Sequence, residues 1–163
     1  MRRREQEITD KSVIESILER ATVCRIGLCD QDTPYVVPVV FGYKDNRLYF
    51  HSAREGKKIA ILKRNNRVCF EVDIAQELVP SEAPCKWSVK YLSVIGFGKA
   101  FFVNGAREKR EALNIIMEHY SRRSYEYPAE AIAEVTIIRV EIDTMTGKQS
   151  GYVINGLQLP VAD

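Results

Sequence analysis

Apolar residues recur along this chain in two rhythms, and the switches between them predict its elements. Across residues 10–21, Val13, Ile14, Ile17, Leu18 and Ala21 share one helical face, the spacing of a short amphipathic helix. Thr9, Asp10 and Ser12 are candidate N-caps, and Ser12 with Glu15 fits a capping box. From Thr22 the period drops to two. Cys24, Ile26 and Leu28 face one way, Arg25 and Gly27 the other, so 22–29 predicts a strand. DQDTP at 30–34 is turn chemistry, and YVVPVVFGY at 35–43 is a second β-rich run. Pro38 cannot donate to a ladder, so that run is an edge strand or is broken at Pro38. KDNR at 44–47 predicts a tight hairpin turn into a return strand at 47–52.

Residues 54–66 return to helical spacing, with Ile59 and Leu62 inward and the Lys and Arg outward. A strand over 67–74 follows, then a loop over 74–86 with two prolines. The long β stretch 87–103 contains Gly96 and Gly98, which predict a bend or bulge. A longer helix is expected from Asn104, as N-cap, through EKREALNIIMEHYSRR, with Leu113, Ile116, Met117 and Tyr120 inward. Residues 132–143 predict a closing strand. Strands that follow one another directly argue against a doubly wound parallel sheet. A small antiparallel barrel with peripheral helices fits this order.

Composition narrows the function classes. The chain has 163 residues, 45% hydrophobic and 28% charged, a single domain's worth of ordinary globular composition. Its net charge of +2 supplies no general field for nucleic acid or an anionic membrane, so any bound anion is held locally. No apolar run approaches the ~20 residues of a membrane span. MRRREQEITD has a basic start without an apolar segment behind it, which does not read as a secretory signal. Cys24, Cys29, Cys69 and Cys85 form no CxxC, and only His51 and His119 could complete a metal set. Reduced, mostly buried thiols in a cytoplasmic protein, without a metal site, are the expectation.

Reactive machinery is sparse. There is no GxSxG, no GxGxxG after a strand and no GxxxxGK[ST]. A Cys–His pair stays open, but each Cys sits in apolar surroundings suited to packing. The informative stretch is YFHSAREGKK at 49–58. A strand ends in His51 and Ser52, a turn follows, and a helix opens at Gly56 with Lys57 and Lys58. A helix N-terminus with a hydroxyl and ammonium groups can seat a phosphate. The same residues also fit a solvated basic face.

The run PYVVPVVFGYKDNRLYFHSAREGKKIAILKRNNRVCFEV at 34–72 resembles the FMN-binding split-barrel superfamily of pyridoxamine 5'-phosphate oxidase relatives. CKWSVKYLSVIGFGKA (85–100) and EKREALNIIMEHY (108–120) resemble its nitroimidazole-resistance (Nim) branch. The similarity covers roughly residues 4–148. It implies a mainly β (α+β), six-stranded antiparallel split barrel over residues 1–148, a C-terminal tail at 149–163, and a homodimer holding FMN at the subunit interface. By position, Val37, Pro38, Val39 and Val40 would border the isoalloxazine, His51 and Ser52 would lie near the flavin, and Lys58, shared with Lys57, would hold the phosphate. Ser93 aligns with a polar residue that touches the flavin in the oxidases.

Several roles stay open at this level. His51 is either a hydrogen-bonded structural residue or the general acid. Trp87 either covers the flavin or packs at the dimer interface, with Lys90 and Tyr91 weaker candidates of the same kind. Arg25 reaches a phosphate or pairs with an acid. The tail TGKQSGYVINGLQLPVAD has neither the Trp nor the Arg of the oxidases' substrate segment, so vitamin B6 oxidation is not expected. The function implied is transfer of electrons from reduced FMN to a small acceptor. A flavin carrier, store or redox sensor without turnover is the alternative, as is haem or a deazaflavin in the same barrel.

Overall fold

The computed structural model describes residues 3–121, 123 and 125–152. Its chain forms two compact units, one from Thr22–Phe70 with Gly96–Thr144 and one from the described parts of 1–21, 71–95 and 145–163.

In the larger unit, β2 (Cys24–Asp30) turns at Gln31 into β3 (Thr33–Val39), with Ile26 opposite Val37 and Arg25 opposite Pro38. The alternation expected for 22–29 is observed: Cys24, Ile26 and Leu28 are buried. β3 pairs only with β2 among the described strands, so of the edge or break expected at Pro38 the structure has the edge. The chain then leaves the sheet at Val40 and Phe41 and resumes as β4 (Gly42–Lys44). β4 and β5 (Arg47–Ser52) form the expected hairpin. Asp45 and Asn46 both take left-handed φ, 51° and 61°, the geometry a two-residue turn of this hand demands. The Asn46 amide also donates to the Ile142 carbonyl at 2.9 Å.

Three long strands, β6 (Arg67–Val79), β7 (Ser88–Val103) and β8 (Thr136–Ser150), contribute residues to both units. The order is β3-β2-β6-β7-β8-β5-β4, and the β2–β3, β4–β5 and β5–β8 registers are antiparallel. α2 (Lys57–Arg64), α3 (Ala106–Tyr120) and α4 (Ala129–Glu134) complete the larger unit. Its core includes Phe41, Leu48, Phe50, Phe70 and Ile137, all fully buried. The smaller unit adds β1 (Glu7–Ile8), paired with β8 at Gly147 and Lys148, and α1 (Lys11–Arg20). Its fully buried side chains include Ile17, Leu18, Val72, Leu92 and Val94.

This is the mainly β, α+β split-barrel class expected, with eight strands among the described residues and not six. The count differs because the two-residue β1 carries no periodic signal and the run 35–43 divides into β3 and β4. β6 extends through the expected loop to Val79, and residues 132–134 belong to α4, not to the closing strand. Asp10 is the N-cap of α1, accepting from the Ser12 amide at 2.9 Å, so Ser12 builds no capping box of its own. Gly105, not Asn104, caps α3. Gly96 and Gly98 serve close packing, since a Cβ there would strike the Phe70 ring and the Glu141 carbonyl. Only Cys24 is fully buried, whereas Cys29 and Cys85 are exposed. β8 runs to Ser150, and residues 153–163 of the expected tail lie outside the described residues. No described helix is long and apolar enough to cross a membrane.

Candidate functional site

The passage from β5 into α2 concentrates the chemistry. Period-two alternation sends Phe50 into the core and leaves His51 exposed, with Ser52 half-buried. An exposed turn leads to Gly56, whose φ of 128° and ψ of 168° are open essentially to glycine alone. An added Cβ would meet nothing within 4 Å, so the demand is on the backbone and not on space. The Gly56 carbonyl accepts from Ala60 at 3.0 Å to start α2, and no side chain caps the helix. Its first amides are therefore donors without intrahelical partners.

Two ammonium groups flank this helix start. Lys57 Nζ lies 4.8 Å above the Tyr35 ring on β3, and Lys58 Nζ lies 5.3 Å from the Phe50 ring on β5. They link β3, β5 and α2 in one place. Lys58 is half-buried, and burial pushes its ammonium below the ordinary lysine pKa. Neither lysine has a carboxylate partner among the described residues. A half-buried cation without a counter-charge is costly, and an anion seated on the free amides of α2 would relieve that cost.

β3 forms the neighbouring wall. Val39 is buried, Val37 half-buried, and Pro38 and Val40 are exposed. With only β2 beside it, β3 keeps one row of backbone groups outside the described ladder. The segment is tied at its end by a residue far along the chain. The Phe41 amide donates to the Tyr120 hydroxyl at 2.9 Å, and that hydroxyl donates to the Thr22 carbonyl at 2.9 Å. Burial raises the Tyr120 pKa, so the phenol stays neutral and able to donate. His119 packs between Phe41 and Tyr120, with ring centroids 4.6 and 4.7 Å away.

The remaining candidates fall into two groups. His51 lies opposite Ile137 and its side chain makes no hydrogen bond among the described residues, and Ser52 lies opposite Thr136. Arg25 is exposed on β2. Ser93 is buried on β7 within the smaller unit. There too, Trp87 donates to the Ser81 carbonyl at 2.7 Å, Lys90 pairs with Glu77 at 2.9 Å, and Tyr91 bonds Lys148 at 2.6 Å. Those three side chains are engaged in local structure. Sequence reasoning missed Tyr35 and the bridging role of Tyr120; neither has a local signal, because Phe41 and Tyr120 meet across 79 residues.

The family model for pyridoxamine 5'-phosphate oxidase matches residues 10–149. This chain belongs to that family. Among solved structures, it is similar to a candidate 5-nitroimidazole antibiotic resistance protein from Bacteroides thetaiotaomicron VPI-5482. The identity is 42%, over 88% of this chain and 86% of that one, with a TM-score of 0.79. It also superposes on the flavocytochrome Anf3 from Azotobacter vinelandii, at 19% identity and TM-score 0.81, covering 93% of this chain and 72% of that one. A FAD and heme binding protein from Mycobacterium smegmatis gives 16% identity and TM-score 0.81, covering 93% and 76%. At such identities the last two show the fold alone. A Rhizobium meliloti (strain 1021) protein, RA0666, is 26% identical over 65 residues, 40% of this chain and 42% of that protein's length. The family match thus agrees with the resemblance carried by residues 34–72.

Proposed function

We propose that this protein is an FMN-dependent oxidoreductase of the nitroimidazole-resistance type, working as a cytoplasmic homodimer. The observation that carries the reading is Lys58, a half-buried ammonium without a carboxylate partner among the described residues, beside the uncapped start of α2. Lys58 and Lys57, the α2 amides and the Ser52 hydroxyl hold the flavin phosphate. Val37, Pro38, Val39 and Val40 border the ring system, partly through the backbone row that β3 leaves unpaired. His51, exposed and with no side-chain hydrogen bond among the described residues, is the group that can give a proton in this reading. Bound flavin supplies reversible electron transfer to a small acceptor such as a nitro compound or quinone. The 42% identical Bacteroides protein, carried by its name toward nitroimidazole resistance, supports that acceptor class.

The same observation serves a flavin-binding module without turnover, because the residues that hold an anion are better defined than any that act on substrate. One preparation separates the two. The chromophore released on denaturation identifies the cofactor, with FMN expected. NAD(P)H oxidation is then followed with nitroimidazole or quinone acceptors. Bound FMN with acceptor-dependent turnover supports the oxidoreductase; bound FMN without turnover leaves the binding module. Protein that takes up no flavin on incubation with FMN overturns both.

A further inference from the structure

The larger unit carries a second basic site that the flavin reading does not use. A cleft of about 420 Å³ is lined by Arg54, Lys63 and Lys109, with Asn104 and Thr136 as neutral polar groups and Phe102 among its apolar ones. Among the described residues, no acidic one lines it. Two of its cations are held in place. Arg54 donates through Nε to the Glu134 carbonyl (3.1 Å) and through Nη2 to the Ala133 carbonyl (2.7 Å). Lys109 Nζ donates to the Ile132 and Val135 carbonyls, at 3.2 and 2.7 Å. Both side chains thus clamp the C-terminal turn of α4 and keep further N–H groups to spare. Lys63 comes from α2, is exposed, and has no carboxylate partner among the described residues. The result is a cleft lined by three cations together with Ile59, Phe102 and Val103, two of the cations held in place before any ligand arrives.

We propose that this cleft binds a phosphate-bearing organic molecule, the phosphate on Arg54, Lys63 and Lys109 and the carbon skeleton against Phe102. Preorganised donors lower the ordering cost of binding, and an apolar wall with a few convergent polar groups is the usual form of a small-molecule site. The cleft borders the flavin turn, since Thr136 is the strand partner of Ser52 and Ile59, in the lining, follows Lys58. It shares none of the residues assigned to the flavin.

The test is an NMR titration of the protein, with and without FMN, using inorganic pyrophosphate and ADP as probes. Amide shifts centred on Asn104 and Thr136, with ADP binding more tightly than pyrophosphate, are expected. Lys63→Glu, a change at an exposed position, should weaken both probes by about tenfold or more. Shifts absent, or confined to Gly56–Lys58, overturn the proposal, as does binding indifferent to Lys63→Glu. Flavin uptake is read separately by visible absorbance, so a failure of this site and a failure of the flavin reading are distinguishable.

Discussion

Lys58 is held where its own charge is disfavoured. Burial lowers its pKa from the ordinary 10.5, so in the flavin-free protein its protonated form opposes folding. Stability is therefore depressed at pH values below the lowered folded-state pKa, climbs as pH rises through it toward 10.5, and is level above. Lys58→Met should remove that slope and raise the melting temperature of the flavin-free protein. The same change should weaken FMN about 10- to 100-fold, the worth of a charge-assisted hydrogen bond to phosphate. Paired thermal melts and flavin titrations check both halves. A variant that loses stability and keeps its flavin affinity would remove Lys58 from the phosphate site. Lys58→Arg adds a pH test: wild-type affinity should decline on the alkaline side earlier than an ordinary lysine would allow, and the arginine variant should not. Tyr120 acts on the same site through Phe41. Tyr120→Phe leaves the Phe41 amide and the Thr22 carbonyl without their shared hydroxyl, for an expected loss of about 1–3 kcal/mol in urea unfolding. Weaker FMN binding should accompany it, because the end of the Val37–Val40 segment is then untied.

At the scale of elements, glycines decide how closely the parts of the larger unit approach. A Cβ on Gly42 would sit 2.5–2.8 Å from backbone atoms of Ile115 and Ile116, so α3 lies directly on β4. Those obstacles cannot rotate away, and Gly42→Ala should cost about 1–3 kcal/mol by overpacking. Gly56→Ala meets no obstacle but a forbidden φ, for a similar loss of about 1–3 kcal/mol. The two differ in flavin affinity, which should fall mainly for Gly56→Ala because only that change disturbs the start of α2. Local patterns made much of this legible. Alternation located β2, the turn at 44–47 announced the hairpin and its return strand, and Pro38 left an edge or a break, of which the structure has the edge. The helix expected over 54–66 was readable from Ile59 and Leu62, both buried as expected, although α2 itself spans only Lys57–Arg64. What stayed hidden was either too short for a period, as β1 is, or decided by distant partners. β6 continues through 75–79 although Ala75 takes a left-handed φ of 56°, a case of pairing overriding local preference. The Tyr120–Phe41 link belongs to the second kind. Lys57 and Lys58 were visible as residues, but their rings, Tyr35 and Phe50, became neighbours only in the fold.

For the whole molecule, a net charge of +2 leaves long-range attraction weak, so a phosphorylated cofactor must be captured by local groups. One chain also leaves apolar side chains in water. On β7, Phe97 is 56% exposed and Phe101 36%, and on β3 Val36 is 61% exposed. Scattered exposure of this kind is ordinary, but Phe97 and Phe101 alternate along one strand with Lys99 between them, which makes a stripe. If the homodimer proposed above forms on that stripe, a second copy covers Phe97 and Phe101 and helps to complete the flavin site. Phe97→Glu discriminates the two descriptions. On a free surface the change is nearly neutral, within about 0.5 kcal/mol. Within a dimer seam it buries two unpaired carboxylates, one from each copy, and should drive the protein to single chains. Light scattering after size exclusion should therefore report twice the chain mass for wild type and one chain mass for Phe97→Glu, with flavin absorbance lost alongside the partner. If wild type elutes at one chain mass while carrying its full flavin, the second copy has no part in the site, and β3, α2 and β5 must hold the cofactor alone.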